Sequence, residues 1–189
     1  TAQGLTPEGK YLSRSGAKSG DWLYVTGELG DAALALQHHK EEILIENDII
    51  EHVQDKLDFP KPRVLAGQAL REYASAAIDI SDGLLADLGH ICQASNVGAN
   101  VVLDAIPLSD AMKKSQDFED SVQLALNGGD DYELLFTVNE DNKVGMETAL
   151  SHAGTVITCI GQINASQTIS TTLNNKPVPI KSSGFQHFA

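Results

Sequence analysis

The sequence has little cysteine and no long apolar run, and these absences exclude several classes of protein. Its 189 residues include two cysteines, Cys92 and Cys159. Two are too few for a disulfide framework, and their separation does not match the paired spacing of a zinc site. No stretch approaches the roughly 20 consecutive apolar residues that span a bilayer. We therefore expect free thiols, a cytoplasmic location and no membrane role.

Basic residues are also scarce, which argues against nucleic acid and anionic lipid as partners. The chain has 13 Lys and Arg against 26 Asp and Glu, giving a net charge of −13 and an isoelectric point near 4.7. Such a charge repels phosphate backbones and anionic headgroups. An acidic protein that handles phosphates must neutralise their charge locally, usually with divalent metal held by carboxylates. Clustered aspartates are therefore the first groups to locate.

The length and the residue pattern predict one α/β domain. A hydrophobic content of 42% suits one well-buried core, so residues 1–189 are expected to form a single domain. Because the chain starts at Thr1 and not at Met, it is interpreted as a fragment of a longer soluble protein. Strand and helix patterns alternate, which favours an α/β sandwich with helices covering a mixed β-sheet. Strands are predicted at residues 22–26, 76–81, 100–103, 132–138, 156–163 and 168–173, and helices at 32–39, 41–57, 63–74, 109–114, 119–126 and 141–152, with a further helix from about residue 84.

The segment 77–84 joins two carboxylates and a hydroxyl at the end of a predicted strand. Strand periodicity places Asp79 and Ser81 on the face opposite the flanking isoleucines, and Gly83 permits a turn that brings Asp82 toward them. Ligands bind at such strand ends in α/β folds, and one or two carboxylates suit Mg²⁺. The same residues also fit a simpler interpretation, in which Asp82 caps the next helix and Asp79 is solvated. The residues alone leave both interpretations open.

A second acidic cluster follows a pair of glycines at residues 128–134. Asp131 and Glu133 share one strand parity, while the alternate residues are mostly apolar and are expected to face the core. The two carboxylates are therefore predicted to face a cleft or water, and the residues alone favour a solvated turn. Residues 15–21 lack the spacing of a phosphate-binding loop and are predicted to form a structural turn. No Ser or Cys nucleophile has a recognisable His partner, so a Ser-His-Asp hydrolase is not supported.

Four motifs, in this order, resemble the thiamine-monophosphate kinase family. They are Arg-Ser-Gly-Ala-Lys-Ser-Gly-Asp at 14–21, Ile-Asp-Ile-Ser-Asp-Gly-Leu at 78–84, Gly-Gly-Asp-Asp-Tyr-Glu-Leu at 128–134 and Gly-Phe-Gln-His-Phe at 184–188. The third motif distinguishes this family from other ATP-using enzymes of the aminoimidazole-ribonucleotide synthetase-like superfamily. The resemblance implies that superfamily's carboxyl-terminal domain fold, and that an amino-terminal domain is absent from this chain.

The resemblance also implies a reaction and a set of site residues. ATP would phosphorylate thiamine monophosphate to thiamine diphosphate, in a cytoplasmic bacterial-type enzyme that is a homodimer when full-length. Mg²⁺ would bind Asp79 and Asp82, ATP would contact Ser81, and the substrate would contact Asp130 and Phe185. Relatives usually carry glutamate at the position of Asp130, whose side chain is one methylene shorter.

The implied chemistry is direct in-line phosphoryl transfer, which depends on metal ions and positioning and needs no enzyme nucleophile. No catalytic residue is therefore assigned, and the fragment alone is expected to be inactive. Two alternatives remain at this stage. One is another ATP-dependent enzyme of the same superfamily, such as a selenophosphate synthetase or a purine-pathway synthetase. The other is a noncatalytic domain that binds metal or nucleotide.

Overall fold

The computed structural model describes residues 5–179, apart from the side chain of Asp48, and places seven strands and seven α-helices in that range. The strands are β1 Trp22–Thr26, β2 Ala74–Asp79, β3 Gly98–Val102, β4 Leu134–Val138, β5 Ile157–Asn164, β6 Ile169–Leu173 and β7 Lys176–Val178. The helices are α1 Asp31–His39, α2 Asn47–Asp58, α3 Val64–Leu70, α4 Leu84–Ser95, α5 Asp110–Ser115, α6 Phe118–Asn127 and α7 Glu140–His152, with a 3-10 turn at Leu103–Ala105. No helix in this range combines the length and apolar character needed to cross a membrane.

The strands form one mixed sheet in the order β2-β4-β1-β5-β3-β6-β7. Strand β3 pairs with β6 in parallel, and the remaining neighbours pair antiparallel. The predicted α/β fold with a mixed sheet is confirmed. Strand β2 lies at one edge, antiparallel to β4. The last residue of β2, Asp79, therefore lies opposite the first residue of β4, Leu134.

Helices cover both faces of the sheet because both faces are apolar. Leu23 and Val25 of β1 belong to a large core with α1, α2, α4, α5 and α6 on one face. Tyr24, between them, belongs to a smaller core with α3 and α7 on the other face. Its ring stacks on Phe136 of β4 with ring centroids 5.6 Å apart. This alternation has the period of two that strand geometry requires.

Several boundaries differ from the sequence predictions, and one strand was not predicted. The helix predicted at 41–57 begins only at Asn47, because Glu41 has a φ of 59° and Glu46 is extended with a ψ of 146°, and neither conformation fits an α-helix. The helix predicted at 63–74 ends at Leu70, and β2 starts at Ala74. Strand β7 was not predicted. It follows a turn in which Asn174 and Asn175 both have positive φ, as a two-residue hairpin turn requires.

The amino-terminal segment 13–21 is a structural turn, as predicted. Asp21 is 4% exposed and accepts hydrogen bonds from the Lys18 backbone amide at 2.9 Å and the Ser75 hydroxyl at 2.6 Å. A Cβ at Gly16 would lie 2.4 Å from the Ser75 carbonyl oxygen. These contacts hold the segment against the start of β2.

Candidate functional site

The two acidic motifs lie side by side, although they are far apart in the sequence. The Ile80 amide donates to the Glu133 carbonyl at 2.8 Å, and the Tyr132 amide donates to the Ile80 carbonyl at 2.8 Å. The Asp130 amide continues the pattern by donating to the Ser81 carbonyl at 3.0 Å. These bonds extend the pairing of β2 with β4 beyond the strands themselves. One site therefore contains both motifs.

Glycines allow the two loops to approach this closely. A Cβ at Gly129 would lie 2.3 Å from the Ser81 carbonyl oxygen. Gly83 has a φ of 109°, and a Cβ there would lie 3.0 Å from the Asn127 carbonyl group. Residues with side chains rarely adopt this φ, and neither position has room for one. The glycines in these motifs thus serve backbone packing.

A cleft of about 500 Å³ opens where the two loops meet. The carboxyl-terminal ends of α1 and α6 form its other walls. Its lining is mixed, with carboxylates, amides, a lysine and apolar side chains. The lining residues are Ala33, Leu36, Gln37, Lys40, Glu42, Ser81, Asp82, Gln123, Leu124, Asn127, Gly128, Gly129, Asp130 and Tyr132.

Four of the five predicted site residues occupy this region. Asp79 is exposed at the last position of β2, and Ser81, Asp82 and Asp130 are half-buried and line the cleft. Phe185 lies outside the described residues 5–179. Ile78 and Ile80 are buried on the opposite side, which confirms the predicted strand parity of the motif.

The helix-capping interpretation of Asp82 is wrong. Gly83 occupies the N-cap of α4, and no side chain makes a capping hydrogen bond there. Asp82 instead lies in the turn before the cap and lines the cleft.

Asp87, which the sequence interpretation missed, fixes the backbone of this turn. It is 2% exposed, and its Oδ2 accepts hydrogen bonds from the Ser81 amide at 2.9 Å and the Asp82 amide at 3.1 Å. Burial raises the pKa of Asp87, the two hydrogen bonds lower it, and the charges of Asp82 and Asp79 raise it further. The available signal was an aspartate on the apolar face of α4, near Leu84 and Leu88.

Tyr132 connects the three predicted carboxylates. Its hydroxyl donates to Asp130 Oδ1 at 3.1 Å. This hydrogen bond is the main cause that raises the pKa of Tyr132, followed by the charge of Asp130, burial, and the charges of Asp79 and Asp82. Asp82 and Asp130 line the cleft together with Tyr132, and Asp79 lies beside it at the end of β2. The side chain remains 40% exposed and available for contact with a ligand.

Of the two remaining carboxylates of the second motif, Glu133 is buried, so the predicted solvated or cleft-facing position is wrong for it, whereas Asp131 is half-buried. Glu133 is 4% exposed and accepts hydrogen bonds from the Arg63 guanidinium, through Nε at 2.6 Å and through Nη2, and from the Thr26 hydroxyl at 2.5 Å. Asp131 Oδ1 accepts from the Gly30 amide at 2.9 Å, and its Oδ2 is buried without a hydrogen bond among the described residues. Burial raises the pKa of Asp131 well above its usual value. The hydrogen bonds of Glu133 and Asp131 thus stabilise the loop that leads into β4.

The carboxylates at the cleft fit a hard divalent cation. Asp79 and Asp82 are close enough to raise the pKa values of both Tyr132 and Asp87. Such a concentration of negative charge is favourable when a cation is bound between the groups. One or two carboxylates, with remaining positions free for water or phosphate oxygens, is the donor set that Mg²⁺ prefers.

The comparisons with known proteins agree with this geometry. Residues 18–174 match the family model described as AIR synthase related protein, C-terminal domain. The chain belongs to this family. Structures of the hydrogenase maturation protein HypE from E. coli share the fold at 18% identity and a TM-score of 0.67.

Relatives of higher identity are thiamine-monophosphate kinases, which confirms the resemblance drawn from the motifs. The chain is 47% identical to the enzyme of Salmonella typhimurium and 44% identical to that of Escherichia coli K12. Each alignment covers 98% of this chain and 58% of the relative, so the chain spans little more than half of their length. A family member's crystal structure, the thiamine-monophosphate kinase of Stenotrophomonas maltophilia K279a, has a TM-score of 0.82 at 37% identity, covering 92% of this chain and 56% of that one. A structure of AaThiL complexed with AMPPCP and TMP has a TM-score of 0.76 at 27% identity, covering 94% and 54%.

Proposed function

We propose that this chain is the carboxyl-terminal part of a thiamine-monophosphate kinase. The reaction is the Mg²⁺-dependent transfer of a phosphoryl group from ATP to thiamine monophosphate, giving thiamine diphosphate and ADP. The observation that carries the proposal is the cleft in which Ser81 and Asp82 meet Asp130. The likeness to the complex of AaThiL with AMPPCP and TMP supports both ligands.

The proposal extends to the whole enzyme. The chain spans 58% of its Salmonella typhimurium relative, and the remaining part would complete the nucleotide site. The full-length enzyme is proposed to be a homodimer. Its proposed location is the cytoplasm, where ATP is available and where the free thiols of Cys92 and Cys159 remain reduced.

Asp79 and Asp82 are the proposed Mg²⁺ ligands. Mg²⁺ held there would offset the repulsion between two phosphate-bearing substrates and stabilise charge that develops during transfer. Asp87 contributes by holding the backbone of this turn through the amides of Ser81 and Asp82. This holds Asp82 in the turn where it lines the cleft.

Ser81 is the proposed contact to ATP. Its amide and carbonyl are occupied by Asp87 and Asp130, which fixes the residue where it lines the cleft. The hydroxyl can then donate to an anionic phosphate oxygen. Since the acceptor phosphate of thiamine monophosphate is already anionic at neutral pH, no general base is needed, and in-line positioning accounts for the transfer.

Asp130 is proposed to bind thiamine monophosphate, together with the ring of Tyr132. The thiazolium ring of thiamine is cationic, so it is attracted by the Asp130 carboxylate and by an aromatic face. The hydrogen bond from Tyr132 fixes the orientation of the Asp130 side chain. Phe185 is proposed as a second aromatic contact to thiamine. It lies outside the described residues, so this assignment stays a prediction.

The test is product formation by a joined enzyme. The amino-terminal remainder of the Salmonella typhimurium relative, which is 47% identical over the shared part, would be fused to this chain. We expect ADP and thiamine diphosphate in equal amounts when the fusion receives ATP, Mg²⁺ and thiamine monophosphate. The amino-terminal remainder alone and a fusion with Asp79→Asn and Asp82→Asn are the controls. ADP release without thiamine diphosphate, from a fusion that melts cooperatively, would refute the substrate assignment.

A further inference from the structure

We propose that Glu28, Asp31 and His52 form a second metal site, which binds a transition-metal ion such as Zn²⁺. Glu28 lies in the segment between β1 and α1, Asp31 is the first residue of α1, and His52 lies in the middle of α2. Their ligand atoms, two carboxylate oxygens and an imidazole nitrogen, all lie within 4.8 Å of one another. The site is independent of the proposed kinase reaction.

The observation that points to a ligand is a buried oxygen without a donor. Asp31 is 1% exposed, and its Oδ1 accepts a hydrogen bond from the Ser109 hydroxyl at 2.6 Å. Its Oδ2 is buried and has no hydrogen bond among the described residues. A buried carboxylate oxygen in this state is costly unless a cation approaches it.

The basic group nearest to Asp31 Oδ2 is the imidazole of His52. Its distance suits a second ligand of the same metal ion and not a hydrogen-bond donor. His52 Nε2 lies 3.6 Å from Asp31 Oδ2, beyond hydrogen-bond distance. Two ligand atoms of a tetrahedral ion with bonds of about 2.0–2.2 Å are roughly 3.3–3.6 Å apart. The observed separation therefore suits an ion between them, and the His52 side chain is half exposed, which gives the ion access.

Lys56 is the competing source of positive charge. Its Nζ lies 3.9 Å from Glu28 Oε2, and within residues 5–179 it forms no ion pair with Asp31. Lys56 and His52 both lower the pKa of Asp31, but burial is the larger effect and raises it. The lysine thus neutralises the outer carboxylate of Glu28 and leaves Asp31 Oδ2 without a hydrogen bond among the described residues.

The donor set selects the type of ion. Imidazole with two carboxylates suits Zn²⁺ or Co²⁺, whereas Mg²⁺ prefers oxygen ligands and water. A cavity of about 340 Å³ beside Glu28, His52 and Ser109 offers room for a water as a fourth ligand. This cavity shares no lining residue with the cleft at Ser81 and Asp82. A bound ion would connect α2 to the start of α1 and to Glu28 just before it.

The test is calorimetric titration of the tag-free chain with Zn²⁺, in the presence of excess Mg²⁺ to occupy the cleft. We expect one tight ion per chain and a higher melting temperature with Zn²⁺. His52→Ala should weaken binding by at least about tenfold, because even the loss of an outer contact to a metal ligand costs that much. His152→Ala, another histidine on a helix, should bind like the parent. Co²⁺ should give the intense visible absorption of a tetrahedral site, which His52→Ala abolishes.

Two further variants keep the proposal testable. Glu28→Gln, at a position whose side chain is 43% exposed, should also weaken Zn²⁺ binding, while Glu51→Gln on the exposed side of α2 should not. His90→Ala removes the histidine near Asp82 and Asp87, a second place where three ligand atoms come together. Unchanged binding in His52→Ala, or binding that is lost in His90→Ala instead, would overturn the proposal.

Discussion

Asp82 is the single residue on which the metal assignment depends most directly. In the joined enzyme, we expect Asp82→Asn to lower turnover at limiting Mg²⁺ by at least about tenfold, because the amide is a weaker ligand than the carboxylate. The melting temperature should stay near that of the parent, since Asp82 does not cap α4. Raised Mg²⁺ should restore part of the activity.

The control for this variant is Asp141→Asn, which changes an exposed aspartate in the first turn of α7. Steady-state rates measured across a range of Mg²⁺ concentrations check the prediction. Equal rates for Asp82→Asn and the parent at limiting Mg²⁺ would remove Asp82 from the metal site.

Asp131 should make stability depend on pH. Burial raises its pKa in the folded chain, so the folded state holds this proton more tightly than the unfolded state. The stabilisation from this proton is complete below the unfolded pKa, near 4, and is lost as the pH rises through the folded pKa. The loss is at most about 1.4 kcal/mol per pH unit within that window. Asp131→Asn should remove this part of the slope.

Urea unfolding of the parent and of Asp131→Asn, between about pH 4 and pH 8 in metal-free buffer, checks this prediction. The difference in unfolding free energy should shift in favour of the variant as the pH rises. Asp31 and Asp87 also have raised pKa values, so the variant should keep a smaller slope of the same sign. A difference that is constant with pH would show that Asp131 is not the group responsible.

At the scale of elements, the ion pair of Arg63 with Glu133 joins the start of α3 to the entrance of β4. Arg63→Ala would leave Glu133 buried with the Thr26 hydroxyl as its remaining side-chain donor among the described residues. We expect a loss of about 3 kcal/mol in unfolding free energy, as for other buried pairs that lose one partner. Arg71→Ala, just after the same helix, is the matched control and should cost less than about 1 kcal/mol. Equal losses in urea unfolding would contradict this role.

The elements were predictable where local pattern and local contacts agree. Strand β1 follows from its aromatic and β-branched residues, and the boundary of α4 at Leu84 follows from the glycine before the helix. The late start of α2 was missed because a positive φ at Glu41 has no strong sequence signal. Strand β7 was missed because a three-residue strand carries little pattern of its own.

At the site, too, features that depend on neighbouring residues could be predicted, and features that depend on residues distant in the sequence could not. The positions of Asp79 and Asp82 could be predicted because strand parity and the turn at Gly83 are local. The burial of Glu133 could not, since it depends on Arg63, whose place in the fold no local pattern reveals. Asp87 was missed for a related reason, because its hydrogen bonds go to a turn that precedes its own helix.

At the scale of the molecule, folding and catalysis should separate. The described residues form two cores on one sheet, so we expect the isolated chain to melt cooperatively. It should bind Mg²⁺-ATP weakly and form no measurable thiamine diphosphate, because transfer requires both substrates to be fixed in line. Calorimetry and a product assay on chain free of contaminating kinase check both statements. Turnover comparable to that of the joined enzyme would show that the active site is complete within this chain.

The net charge of −13 makes the location of bound cations the central question for this molecule. The most direct measurement is anomalous X-ray diffraction from crystals of the joined enzyme grown with Mn²⁺ and AMPPCP. Mn²⁺ replaces Mg²⁺ at oxygen-rich sites and can be located by its anomalous signal. The account predicts a Mn²⁺ peak bonded to the carboxylates of Asp79 and Asp82, with nucleotide phosphate beside Ser81. Bound nucleotide with no Mn²⁺ at either carboxylate would contradict it.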